Sequence, residues 1–334
     1  MLKKFRGIVR ILILSTIIGL SRSSWITVWV CLEINTLAIC WVISKNRKER
    51  KYQESPIFLY YIIQVIASVV LLVLATSQES AISQTLLIFC LLIKIGVWPI
   101  HLWYMKLIDS IEIKQRSILL VITWQKILPI ILILRILEKK EIKLLILALA
   151  VITLATPVTN LIKSLSVKRI LASSSLNNNG WLIVASVCCI NTFFLFLLIY
   201  SITLWVTLKR IITITLKSIK TGIPFWSGTL VVSNIGGLPP LTMFWAKVLI
   251  IKRAIESEIP REVLLSLVLI ACYFLYHYLW ITLNEMAWRP TKSQNTYKSN
   301  KEVKTTKIVT LTRMLSFILL LTLGLTLKGF ILIG

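Results

Sequence analysis

Along this chain, apolar runs of roughly 20 residues alternate with short polar gaps, and the gaps hold most of the charge. A helix needs about 20 apolar residues to cross the hydrocarbon core of a bilayer. By that measure the runs predict about eleven spans, near 3–21, 25–44, 56–76, 83–104, 115–137, 142–162, 169–188, 190–208, 223–251, 262–284 and 308–332. Backbone inside lipid must satisfy its own hydrogen bonds. No ten-residue alternation of polar and apolar positions marks barrel strands, so the spans are read as helices. The expected fold class is all-α, a polytopic bundle of transmembrane helices forming a single integral membrane domain over 1–334.

Two of these runs are interrupted. The fourth carries Gly96 and Pro99 within LLIKIGVWPIHLWY, and the ninth carries Gly236, Gly237, Pro239 and Pro240 within NIGGLPPLTMFWAK. Glycine weakens a helix and proline removes a backbone donor, so regular hydrogen bonding stops at both places. A matched pair of broken helices in the two halves of a membrane chain points to inverted repeats. The breaks lie five spans apart, giving a first repeat over about 1–137, a second over about 142–284 and an additional C-terminal span over about 308–332.

Composition agrees with a membrane chain: 57% of the 334 residues are hydrophobic and 15% charged. The net charge of +25 changes the picture only through its placement. By our count the N-terminal head and every second gap hold about 24 basic residues, against about 7 in the remaining gaps, the asymmetry of the positive-inside rule. The N-terminus is therefore expected in the cytoplasm or matrix. Charges in short gaps form no continuous basic face, which excludes nucleic acid as a partner, while anionic lipid remains a fitting one. The basic head and apolar body of MLKKFRGIVRILILSTIIGLS are read as the first span, since no small-residue cleavage site follows. The six cysteines lie in or beside apolar runs without metal-site spacing and are read as buried thiols, and no phosphate-cradling glycine motif is present. Tryptophans near span ends, among them Trp25, Trp103, Trp226 and Trp288, are expected at the membrane interfaces.

Four ionisable residues fall inside spans: Glu33, Lys94, Lys126 and Lys247. Each costs roughly 2.5–3.5 kcal/mol at mid-bilayer unless paired or hydrated, so such residues mark functional sites by default. Burial disfavours the charged form of a lysine and a nearby carboxylate favours it. A lysine held between those influences gains or loses its proton when a neighbouring charge moves. The residues alone fit three readings: a proton-relay subunit, a self-standing cation/proton exchanger, or a passive subunit whose charges only register its helices.

In order along the chain, WVCLEIN, KIGVWPIHLW, TWQKILP, KRILASSSLNNNGW and GGLPPLTMFWAK resemble the subunit 2 family of mitochondrial NADH:ubiquinone oxidoreductase (complex I). These are antiporter-like membrane subunits, and the resemblance is to the short eleven-helix form. It covers essentially the whole chain and implies a proton-translocating subunit of the mitochondrial inner membrane. It further implies no cofactor in this chain, with NADH, FMN, iron–sulfur clusters and ubiquinone elsewhere in the complex, and other membrane subunits and lipid, cardiolipin included, as partners. The family's pairing of a glutamate with the lysine of the first broken helix falls on Glu33 and Lys94, its central lysine on Lys126, and the lysine of its second broken helix on Lys247. Two departures stand out. Asn178 occupies a place where the family often has histidine, and an amide cannot titrate. Met105 and Lys106 replace a Pro-Glu pair. His101 and His277 are read as interfacial and packing residues.

Overall fold

The computed structural model describes residues 2–21, 24–45, 54–76, 81–111, 117–136, 140–163, 167–217, 233–239 and 241–287. Regular elements among them are all helical: α1 (Leu2–Ser21), α2 (Trp25–Lys45), α3 (Glu54–Thr76), α4 (Ala81–Ile95), α5 (Leu102–Ser110), α6 (Ser117–Ile122), a 3₁₀ turn (Trp124–Lys126), α7 (Ile127–Ile136), α8 (Lys140–Lys163), α9 (Val167–Cys188), α10 (Ile190–Lys217), α11 (Thr242–Glu256) and α12 (Arg261–Ala287). A further helical turn covers 233–236. Among the described residues, five segments are long and apolar enough to cross a membrane: Trp25–Ser44, Pro56–Thr76, Ile118–Ile136, Ile190–Lys209 and Arg261–Trp280. Shorter apolar helices stand at three other expected spans, over Gly7–Ser21, Ile82–Ile95 and Ile142–Pro157. The expected span 308–332 and the first ten residues of 223–251 lie outside the described residues, as do Trp226 and Trp288.

α3 shows which solvent the helices are built for. Phe58, Ile62, Ile66, Val69 and Val73 are exposed along one side, whereas Tyr60, Gln64 and Ser68 are buried on the other. Residues four apart share a helix face, so the polar stripe points inward and the apolar stripe outward. Such a helix is inverted relative to one in water, and lipid makes it stable. α9 is the complement: the polar run SSSLNNN makes it a poor span by itself, yet residues 170–186 are buried throughout. Protein rather than lipid surrounds it.

The chain forms two compact units, one of Met1–Phe193 with Pro260–Leu267 and the other beginning with Phe194–Ile259 and resuming at Val268. In the first, α1 packs on α2, α2 on α3, α3 on α4, α4 on α7, and α5 against α3 and α9. α8 packs along α9, and Gly180 leaves no side chain between them. A Cβ there would stand 2.4 Å from Leu154 Cγ and 2.9 Å from the Ala150 carbonyl oxygen. A buried link from the Ser15 hydroxyl to Asn35 Oδ1, at 2.5 Å, ties α1 to α2.

Three expectations are revised. The run 115–137 is not one helix: α6 ends at Ile122 and the chain passes through the 3₁₀ turn before α7. Pro129 explains this, since it lacks the N–H that would bond to Gln125 and its ring crowds that carbonyl. Trp103 faces protein rather than an outer surface of the bundle. It is 1% exposed and packs its ring 5.3 Å from Tyr60 and 5.6 Å from Tyr104, because the break at Gly96 turns α5 back into the protein. The cysteines are free among the described residues, but Cys272 is exposed rather than buried.

Candidate functional site

The two predicted breaks are built alike. α4 stops at Ile95, Gly96 takes φ +85°, and the N–H groups of Gly96 and Val97 both bond to the Leu92 carbonyl. In the second unit the turn 233–236 stops before Gly237, φ +86°, and the N–H groups of Gly237 and Leu238 both bond to the Ser233 carbonyl. This is the glycine-terminated helix end that a left-handed residue permits at little steric cost.

A helix end leaves carbonyls without intrahelical donors, and the carbonyl end carries partial negative charge. At α4 those carbonyls are covered by side-chain amides from three other elements. Gln64 Nε2 of α3 and Gln125 Nε2 of the 3₁₀ turn donate to the Lys94 carbonyl at 3.3 and 3.4 Å. Asn179 Nδ2 of α9 donates to the Ile95 carbonyl at 3.4 Å.

Lys94 lies in the last turn of α4 and is 1% exposed. Its Nζ has no hydrogen-bond partner among the described residues. No ion pair joins it to Glu33 within 4.0 Å. The ion pairs found among the described residues, Arg169–Asp109 and Arg253–Glu256, are exposed ones elsewhere. The Glu33 carboxylate is engaged by a hydroxyl instead, accepting a short hydrogen bond from Ser68 of α3, while the Thr36 hydroxyl donates to the Glu33 backbone carbonyl at 2.8 Å. Glu33 and Lys94, matched to a family pair by the resemblance, form no ion pair within 4.0 Å among the described residues, and the carboxylate accepts from the Ser68 hydroxyl.

Lys126 ends the 3₁₀ turn and is fully buried. Its Nζ donates to Tyr104 Oη at 3.0 Å and to Asn179 Oδ1 at 2.5 Å, and sits 4.6 Å from the Tyr104 ring centroid. A cation there would be met by a ring face and two oxygens without a formal counter-charge. In the second unit Lys247 of α11, 6% exposed, reaches back to the preceding break and donates to the Gly236 carbonyl at 3.3 Å. A Cβ on Gly237 would stand 3.1 Å from its Nζ. An amine thus addresses the carbonyl end of a broken helix in each unit: directly at Lys247, and through Asn179 at Lys126.

Sequence reasoning missed Tyr60, Gln64, Ser68, Gln125 and Asn179. The first three carried a signal, polar side chains at i, i+4 and i+8 in the otherwise apolar run 56–76. Asn178, singled out as a departure, is 1% exposed, and neither atom of its amide has a protein partner among the described residues. His101 is half-buried, with Nδ1 3.3 Å from the Pro99 carbonyl oxygen, and His277 packs its ring 4.6 Å from Tyr273. Among the described residues no group of three or more metal-ligating side chains occurs.

Residues 73–273 match the family described as NADH:quinone oxidoreductase/Mrp antiporter, TM. The chain is 28% identical over 306 residues to NADH-ubiquinone oxidoreductase chain 2 of Danio rerio, covering 86% of this chain and 85% of the relative. It is 26% identical over 314 residues to the same-named protein of Locusta migratoria, covering 85% and 88%. Its fold is similar to a chain of respiratory complex I from Thermus thermophilus, with TM-score 0.75, 19% identity, and 99% of this chain and 79% of that one covered. A chain of the Mrp complex from Dietzia sp. DQ12-45-1b gives TM-score 0.71 at 16% identity, with 86% of this chain matched to 62% of that one.

Proposed function

The chain belongs to the NADH:quinone oxidoreductase/Mrp antiporter transmembrane family, and on that premise we propose that it is a proton-translocating membrane subunit of a respiratory NADH:ubiquinone oxidoreductase whose buried lysines carry the proton. The observation that carries this reading is Lys126, an amine buried without a carboxylate among its hydrogen-bond acceptors and linked by one amide to the broken helix that bears Lys94.

Lys94 and Lys126 act as two stations of the first unit and Lys247 as the corresponding station of the second. A proton arriving at one amine raises the cost of a charge on the next, so the stations alternate. Glu33 biases Lys94: its carboxylate favours the ammonium form, and it is held by the Ser68 hydroxyl rather than by the amine. A tight pair would hold the proton; a separated one lets it leave. Energy arrives from quinone reduction elsewhere in the assembly. NADH, FMN, the iron–sulfur clusters and ubiquinone are bound by other subunits, and this chain supplies no redox centre. The eleven spans and inverted five-helix repeats read from the sequence belong to the same proposal. So does its place in the mitochondrial inner membrane, the N-terminus on the matrix side, beside other membrane subunits and anionic lipid.

A self-standing cation/proton exchanger makes the opposite prediction in one experiment. Liposomes holding only this chain are expected to show no proton movement when a sodium or potassium gradient is imposed, whereas vesicles holding the assembled complex acidify or alkalinise as NADH is oxidised. Cation-driven exchange by the isolated chain would refute the subunit reading.

A further inference from the structure

We infer that Asn179 is a positioning residue of the relay, its carboxamide tying the Lys126 amine to the broken end of α4 beside Lys94. The inference rests on the relay reading above and adds a residue to which neither the sequence motifs nor the comparisons gave a role.

Asn179 is completely buried in α9, a helix surrounded by protein. Burying an amide is costly unless both of its ends are bonded. Both are, and to two different parts of the site: Oδ1 accepts from Lys126 Nζ at 2.5 Å, and Nδ2 donates to the Ile95 carbonyl at 3.4 Å. The contrast with its neighbour is informative, since the amide of Asn178 is as deeply buried with no protein partner among the described residues. Asn179 was therefore placed by the site rather than merely tolerated by the helix.

The amide is directional, with one accepting and one donating end. When Lys126 carries a proton, its donation to Oδ1 is charge-assisted and polarises the amide. A polarised amide donates more strongly from Nδ2, so the Ile95 carbonyl is gripped more firmly. When Lys126 is neutral both bonds weaken. The charge on Lys126 is thereby felt at the last turn of α4, where Lys94 stands one residue before Ile95 and where Gln64 and Gln125 hold the adjoining carbonyl. Nothing covalent is exchanged; the proton remains on the amine, and the amide fixes where that amine stands and how the helix end responds.

Leucine and glutamine separate this role from simple packing because both are bulkier than asparagine while only glutamine keeps the two-ended amide. Asn179→Leu and Asn179→Gln are introduced into the assembled complex in sealed membranes, with proton translocation expressed per NADH oxidised and matched for the amount of complex. The leucine variant is expected to lose about tenfold in coupled translocation, the order of effect that loss of one charge-assisted hydrogen bond has on an equilibrium, and the glutamine variant to keep most of it. Where the leucine variant does not assemble, Asn179→Ala removes the amide without adding bulk and takes its place. Equal behaviour of the amide-bearing and amide-free variants, whether both retain or both lose translocation, overturns the inference. Lys126→Met in the same membranes keeps the two ideas apart. If it leaves translocation unchanged the relay reading itself fails, and if it abolishes translocation while the Asn179 variants behave alike only the present inference fails.

Discussion

Replacing Lys126 with methionine is expected to leave a complex that assembles normally and oxidises NADH with an artificial electron acceptor, yet translocates protons with quinone at least an order of magnitude more slowly, the scale of losing one positioned proton-transfer group. The fold should tolerate the change because methionine matches the lysine stem in length and flexibility, and because a buried amine is a liability to stability. Removing it avoids a desolvation cost of several kcal/mol. Tyr104 and Asn179 would each lose a donor, a cost on the order of 1 kcal/mol per bond, which the avoided desolvation offsets. Stability and function therefore move in opposite directions, and that divergence is the signature sought. Native gels report assembly, and a pH-sensitive dye in sealed vesicles reports translocation. Undiminished pumping by an assembled Lys126→Met complex would leave the lysine as packing.

Gly180→Ala is expected to act through the scaffold and to reduce the amount of assembled complex several-fold. The added methyl would meet Leu154 Cγ at 2.4 Å, Cδ2 at 2.8 Å and the Ala150 carbonyl oxygen at 2.9 Å. A leucine tip can rotate away, but a backbone carbonyl in the middle of α8 cannot. Small residues let helix backbones approach in a membrane, where packing is the main source of association. Forcing α8 from α9 should cost about 1–3 kcal/mol. A change of that size alters the abundance of a folded membrane protein several-fold. The effect also reaches the site, because Gly180 follows Asn179 directly and any shift of α9 moves the Lys126 acceptor. Wild-type levels of the alanine variant on native gels would show that α8 and α9 have room the structure does not grant them.

How far the sequence anticipated these features depends on the range of the interaction behind each. The apolar runs and the two glycine-terminated breaks are local, set by a residue and its near neighbours, and they were legible. The inward stripe of Tyr60, Gln64 and Ser68 was also local, hidden only because an apolar run was read for its length and not its period. The interruption at Trp124–Lys126 was half-legible. A proline is a local signal for a kink, but Pro129 lies three residues beyond the lysine and gave no hint that the amine would stand at a 3₁₀ turn. The burial of Trp103 was not legible, because it follows from where the break sends α5, a tertiary outcome. Glu33 and Lys94 were matched to a family pair, yet the partner a carboxylate chooses depends on which hydroxyls face it, and Ser68 lies on another helix. Asn179 could not have been found from sequence, since its role depends on which way its amide points, and among three successive asparagines the family pattern drew attention to Asn178 instead.

Station-to-station transfer requires a path, and the shortest one to examine joins the two lysines of the first unit. The most direct measurement is a high-resolution map of ordered water in the assembled complex around Lys94 Nζ and Lys126 Nζ. A hydrogen-bonded chain of water connecting the two amines, with Lys94 free of a direct contact to Glu33, is the predicted result. A dry apolar gap between them, or a Lys94 locked in an ion pair, would contradict it.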